Sequence, residues 1–249
     1  MKLIISPAKK MNIEEGLPWR DYPVFLTQTE SLMKYMQGLD YEEAKALWKC
    51  NDQIAALNVQ RFADMNLKGN LSPAILAYEG IQYQYMAPGV FEDRSLAWIQ
   101  EHLRILSGFY GLLRPMDGIV PYRLEMQAKI HMSGYKNLYD FWKDGIYREL
   151  TKDTQVILNL ASKEYSKCIE SYLGEKDRFI TCIFAEEVSG KRVQKATMAK
   201  MARGEMVRYL AEIGAENPEE AKGFKRLGFV FQADKSNERE YVFVKQEQP

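Results

Sequence analysis

The stretch QVILNLAS, from Gln155, followed at once by SKEYSKCIESYL, constrains the fold more than any other part of the sequence. Its apolar centre is continuous, as in a strand covered on both faces, and sheets covered on both faces are mostly parallel. The residues after it have helical spacing and begin at Ser162, a residue type suited to a helix N-cap. A strand that passes directly into a helix is a parallel-type unit, so the chain is expected to be α/β.

The remaining periodicities fill in a mixed α+β body. KLII reads as a short buried strand ended by Ser6-Pro7, because proline cannot continue a central ladder, and the basic loop AKKMN follows. Apolar residues at three and four spacing predict helices over Gln28 to Gln37, Tyr41 to Cys50 and Asp52 to Met65. Pro73 to Tyr85 alternates aromatic with small or polar residues and predicts strand and hairpin. Helices are predicted from Glu92 to Leu106, on the stripe Leu96, Ile99, Leu103 and Leu106, and from Leu138 to Leu150. RFITCIFA, from Arg178, is a second strong strand, Gln194 to Ala215 the longest helix, and Pro218 to Leu227 a short helix behind Asn217. FVFQA and YVFVK make a terminal hairpin. With no Pro/Gly/Ser-rich linker, repeat or low-complexity segment, one domain over residues 1–249 is expected, a two-lobed body around a cleft being the alternative.

Lys plus Arg and Asp plus Glu each number 34, so the formal net charge is zero and any hold on an anionic polymer must come from a local patch. The three cysteines, Cys50, Cys168 and Cys182, match no metal spacing and point to a reducing compartment. The apolar run in MKLIISPAKK is too short for a signal peptide and nothing approaches a membrane span, so a cytoplasmic protein without a membrane partner is expected. His102 and His131 have no partner at metal-ligand spacing, and no GxSxG or strand-borne GxGxxG occurs. No metal, cofactor or protein partner is called for, and the doubled acids Glu14-Glu15, Glu42-Glu43, Glu186-Glu187 and Glu219-Glu220 read as solvated faces.

Chemistry concentrates first in LRILSGFYGLLRP, where Gly108 and Gly111 lie three apart after Ser107, flanked by Arg104 and Arg114. Glycines in such a turn let backbone N–H groups approach a phosphate, a layout like the hairpin of a helix-hairpin-helix element, although Pro115 leaves the second helix short. The alternative is a plain turn with Arg114 paired to a carboxylate. PYRLEM puts Arg123 and Glu125 on one face of an extended segment, either clamping a phosphate and orienting a base or sugar hydroxyl, or pairing with each other. In ATMAKMARGEMVRY, Lys200, Gly204 and Arg208 share a helical face beside Arg203, and the glycine signals a close partner: a phosphate backbone or another helix. Lys9 and Lys10 follow a strand end, where open α/β sheets often bind ligands. Asn159, Ser162, Glu164 and Tyr165 occupy a strand end and helix start, serving either a polar pocket or capping and packing.

Together and in order, ISPAKKMN, HLRILSGFYGLLRPMDGIVPYRLEM, LYDFW, VILNLASKEY, AKMARGEMVRY and GFVF with YVFVK resemble the YaaA family of bacterial peroxide-stress resistance proteins across nearly the whole chain. The resemblance implies a family-specific α/β fold, a positively charged cleft, a helix-hairpin-helix-like element that binds double-stranded DNA, and a role in limiting oxidative DNA damage and free iron. Lys9, Arg104, Ser107, Gly108, Gly111, Arg114, Arg123, Glu125, Lys200, Arg203 and Gly204 stand at matching positions. Met201 replaces a second lysine common before the ARG motif, and Asn51 stands where the family commonly has serine. The leading expectation is a DNA-binding stress protein with little base specificity, gripping phosphates through the hairpin amides and Arg104, Arg114, Lys200, Arg203 and Arg208. The rival is an enzyme acting on a nucleotide-like or phosphorylated small molecule, with Glu125 or Glu164 as acid or base, and a third idea is iron sequestration.

Overall fold

The computed structural model describes residues 1–13, 16–189 and 191–246, so the acidic pair at 14–15 lies outside the described residues. Its strands are β1 (Lys2–Ile5), β2 (Lys10–Met11), β3 (Ser72–Pro73), β4 (Tyr78–Glu79), β5 (Leu103–Ser107) and β6 (Gly111–Leu113). They continue as β7 (Gly118–Ile119), β8 (Val156–Leu160), β9 (Arg178–Val188), β10 (Lys191–Val193), β11 (Phe229–Phe231) and β12 (Glu240–Lys245). One mixed sheet runs in the order β11-β12-β9-β8-β1-β5-β6, with β10 paired to β9. Its five central strands, β12 to β5, are mutually parallel, and β11 and β6 close the edges antiparallel. β2 with β4 and β3 with β7 form two-residue ladders outside it.

The apolar runs picked out in the sequence supply the parallel centre. Leu3, Ile4 and Ile5 of β1 are fully buried, as are Ile157, Leu158 and Leu160 of β8, which is what cover on both faces demands. The helices are α1 (Leu26–Gln37), α2 (Tyr41–Trp48), α3 (Asp52–Ala63), α4 (Ala74–Ala77), α5 (Ile81–Met86), α6 (Asp93–His102), α7 (Leu138–Trp142), α8 (Gly145–Leu150), α9 (Lys163–Glu170) and α10 (Ala196–Ile213), of which α6, α8, α9 and α10 pack on the sheet, while α5 packs on α10 and α1 and α2 on α3. The first three lie within two residues of their expected bounds, α2 opening on an Asp40/Glu43 capping box and α3 on Asn51, whose side chain accepts from the Ile54 N–H at 3.0 Å. A single hydrophobic cluster runs from Leu3 to Phe243, drawing on the helices and the sheet alike.

Five expectations are corrected. Residues 103–107 are strand, not the end of a helix: α6 stops at His102, and Leu103 to Ile105 pair with Leu3 to Ile5, a gain in sheet hydrogen bonding that outweighs the helical stripe. No helix-hairpin-helix is therefore built at 102–114, which is a strand, a tight turn and a second strand. Residues 73–85 are mostly α4 and α5, with only two-residue strands at Ser72–Pro73 and Tyr78–Glu79. The helix expected over Leu138 to Leu150 breaks at Lys143, whose φ of 46° lies outside the helical region, and Pro218–Gly223 is a 3-10 turn capped by Asn217.

The topology fixes where a ligand can sit. From β1 the chain crosses to β5 on one side, whereas β8, β9 and β12 build outward on the other. Neighbouring parallel strands β1 and β8 thus mark the point where the winding reverses, and the crevice beyond the carboxyl ends of such a pair is the usual ligand position in open α/β sheets. Among the described residues no helix is long and apolar enough to cross a membrane.

Candidate functional site: a basic cleft at the strand ends

A cleft of about 420 Å³ opens beyond the carboxyl ends of β1 and β8. Its floor is stitched by two serines: the Ser162 N–H donates to Ser6 Oγ at 2.9 Å, and Ser6 Oγ donates to Ser162 Oγ at 3.2 Å. Ser162 does occupy the N-cap position of α9, but its hydroxyl is spent on Ser6 and not on a helix amide. Beneath the floor, the Tyr122 hydroxyl lies 2.6 Å from Ser107 Oγ and 2.8 Å from the Tyr78 hydroxyl, a fully buried polar chain. Tyr83 ties the wall to the strand end by donating to the Ser6 carbonyl at 3.0 Å.

Cations reach the cleft from three distant segments. Lys9 and Lys10 come from the loop after β1, Arg123 from the extended PYRLE segment, and Lys200 and Arg203 from α10. Glu125 sits among them, its Oε2 3.0 Å from Lys9 Nζ and its Oε1 3.2 Å from Arg123. Lys10 pairs with Glu79. Among the described residues, Lys200 and Arg203 have no carboxylate partner, and burial pulls the Arg203 guanidinium below its usual pKa range. Glu164, in the first turn of α9, accepts from the Gln127 N–H at 3.3 Å, and burial followed by the charge of Glu125 pushes its carboxyl upward. Tyr165 beside it is buried, which holds its phenol well above the ordinary value.

Buried polar atoms without partners gather here. Of seven such side-chain atoms among the described residues, Gln82 Nε2, Arg123 Nε, Glu125 Oε1 and Arg203 Nε belong to residues lining this cleft. Glu125 Oε1 stands within ion-pair reach of Arg123 but without hydrogen-bond alignment. Buried polar groups are nearly always satisfied, so three donors and an acceptor left without protein partners set the lining of this cleft apart.

The family model described as "Peroxide stress protein YaaA" matches residues 1–235. The chain belongs to that family. Relatives include UPF0246 proteins of Lachnoclostridium phytofermentans, 56% identical with 99% of this chain and 97% of the relative covered, and of Agathobacter rectalis, 52% identical with 98% of each covered. A third, from Pediococcus pentosaceus, is 52% identical with 99% of each covered. Membership accords with the resemblance carried by the central and NLAS motifs and with a part in the response to oxidative stress.

The site residues expected from the sequence separate into those in the cleft and those elsewhere. Lys9, Lys10, Arg123, Glu125, Glu164, Tyr165, Lys200 and Arg203 come together. The glycine hairpin does not present outward amides: the Phe109 and Tyr110 N–H groups donate inward to Ser107 Oγ at 3.1 and 2.8 Å. Gly108 is a packing glycine, since a Cβ there would stand 2.5 Å from the Leu124 carbonyl oxygen, and Gly111 supplies the turn's φ of +72° against Trp142 and Phe25. Arg104 is the second residue of β5, so it lies toward the opposite end of the sheet from the cleft, buried in a cavity of about 240 Å³ with Arg114 and Asp117. Gly204 does meet a helix: its Cβ would come within 2.1 Å of the Gln82 carbonyl oxygen of α5. Arg208 points away and pairs with Glu212 at 2.8 Å, and Asn159 is consumed locally by Thr181 and the Ala161 N–H.

Sequence reasoning missed Gln82, Tyr83 and Tyr122. Gln82 and Tyr83 sit in the aromatic run of α5 and Tyr122 beside the more conspicuous Arg123, and only the tertiary packing of these segments brings them to the cleft. The cysteines carry no thiolate chemistry in the interior: burial raises Cys168 to about 12 and Cys182 further still. Among the described residues no group of three or more His, Cys, Asp and Glu side chains is placed to hold a metal ion.

Proposed function

We propose that this chain serves the peroxide-stress response by holding DNA at the basic cleft, contacting phosphates and reading little base sequence. The observation that carries the reading is the convergence of Lys9, Lys10, Arg123, Lys200 and Arg203 on one crevice, with Lys200 and Arg203 unpaired among the described residues. On a chain of zero net charge, a local patch of this kind is the only source of attraction for a polyanion. Anisotropy titrations of two unrelated labelled duplexes test the proposal. Similar affinities are expected, with a log–log salt slope of roughly −2 to −4 for two to four neutralised phosphates. Absence of duplex binding at low salt overturns it.

A second reading, an enzyme acting on a nucleotide-like or phosphorylated small molecule, is favoured by two observations. The cleft volume of about 420 Å³ is that of a small-molecule site. Glu164 stands at the cleft with its carboxyl raised above the ordinary range by burial, the direction expected of a general acid. A thermal-shift screen against nucleotides and sugar phosphates separates the two, because a tight small ligand raises the melting temperature in the absence of DNA.

A further inference from the structure

A second cavity, of about 470 Å³, adjoins the basic cleft and shares Glu125 with it as a common wall. Tyr35, Leu39, Leu47, Trp48 and Ala128 give it aromatic and apolar lining, and Glu43, Lys49, Gln127, Lys129 and His131 give it polar groups. The Tyr35 hydroxyl is pinned by accepting from the His131 N–H at 2.9 Å. Trp48 is 4% exposed, and its indole N–H finds no acceptor in the protein. With the four unpaired atoms of the cleft, five of the seven unpaired buried polar atoms among the described residues belong to residues lining these two cavities. The backbone is strained at the same place: Lys49, directly after Trp48, holds a φ of +48° without being glycine.

An aromatic chamber and a cationic chamber divided by one carboxylate match the three parts of a nucleoside phosphate. We propose that the two cavities form one site for a nucleoside phosphate unit, with the phosphate at Lys200 and Arg203, the ring in the chamber lined by Tyr35 and Trp48, and Glu125 accepting from the sugar hydroxyls. Aromatic walls with a few convergent polar groups suit a planar ring. Carboxylates are the usual acceptors for sugar hydroxyls in α/β nucleotide sites. The inference rests on the phosphate-binding reading of the cleft, and it adds a ring-recognising element that a grip on a polymer backbone does not need.

Adenosine 5′-monophosphate, adenosine, inorganic phosphate and a short single-stranded oligonucleotide are titrated separately by calorimetry, with a duplex titrated in parallel. The monophosphate is expected to bind about tenfold or more tightly than inorganic phosphate, the gain that one base–aromatic stack supplies. Ala46, exposed on α2 at the chamber wall, provides the decisive variant: Ala46→Trp fills the chamber at a position the fold does not bury. It is expected to abolish the advantage of the monophosphate while leaving inorganic phosphate unchanged, and Trp48→Phe is expected to reduce the advantage. An oligonucleotide tighter than the monophosphate assigns the unit to a strand, and the reverse assigns it to a free nucleotide. Equal affinity for monophosphate and phosphate, or an advantage that survives Ala46→Trp, overturns the inference even where duplex binding is retained. Loss of phosphate and duplex binding together instead removes the cleft reading itself.

Discussion

Gly204→Ala tests the wall of the cleft at its tightest point. The added methyl would stand 2.1 Å from the Gln82 carbonyl oxygen and 2.9 Å from the Met86 amide nitrogen, both main-chain atoms of α5. No rotamer change relieves such contacts, so the helices must separate. Overpacking of a core costs about 1–3 kcal/mol, and a backbone clash this close belongs at about 3. Alanine returns about 1 kcal/mol through its better helix propensity, which leaves a net loss of about 2 kcal/mol. For a chain of 249 residues that loss lowers the melting temperature by roughly 4–8 °C. Urea unfolding followed by circular dichroism, with calorimetry for the melting temperature, measures both. Because Gln82 lies on α5 and Arg203 on α10, the same separation widens the cleft, and anion affinity is expected to fall along with stability. A Gly204→Ala variant as stable as the parent would refute the reasoning, since the helices would then already stand apart in solution.

Three further outcomes are expected. Burial raises Asp117 to about 7, so between about pH 4 and 7 the native state keeps a proton that the unfolded chain releases, and this group's contribution to stability falls as pH rises. Asp117→Asn should therefore gain on the parent in urea midpoint between pH 5 and pH 8, and an unchanged difference contradicts the assignment. Lys200→Gln should weaken duplex binding and flatten the salt slope by about 0.9, whereas Arg114→Gln, in the cavity at the far end of the sheet, should alter neither. Iodoacetamide should label only Cys50 in the native protein and all three thiols after unfolding, because Cys168 and Cys182 are buried with raised pKa; mass spectrometry showing native labelling at either would refute it.

The parallel centre of the fold was legible because KLII, VILNL, RFITCIFA and YVFVK are compact apolar runs rich in β-branched and aromatic residues. LRILS was not: Leu103 and Leu106 extend the helical stripe of Leu96 and Ile99, and only the approach of Leu3 to Ile5, about a hundred residues earlier, turns the segment into strand. The site divides along the same line. Lys9, Arg123, Glu125, Glu164, Lys200 and Arg203 announce themselves by chemistry at strand ends, on an extended segment or on a helical face. Arg104 and Ser107 lie three apart in sequence, but strand direction sends them to opposite ends of the sheet, a fact no local pattern carries. Gly204 shows both outcomes, since its helical context demanded a close neighbour while leaving open whether that neighbour was a phosphate or a peptide.

The placement of β1 between β5 and β8 also sets a schedule for synthesis. The apolar strand at residues 2–5 leaves the ribosome long before residues 156–160, its neighbour on one side. At about 5–20 residues per second, the interval is on the order of ten to thirty seconds. Throughout that time a short, sticky β-segment has an open edge, and the crevice that β1 helps to floor does not yet exist. Nascent chains of this protein are therefore expected to depend on shielding by chaperones during translation, and to gain affinity for anions only after the middle of the chain has emerged.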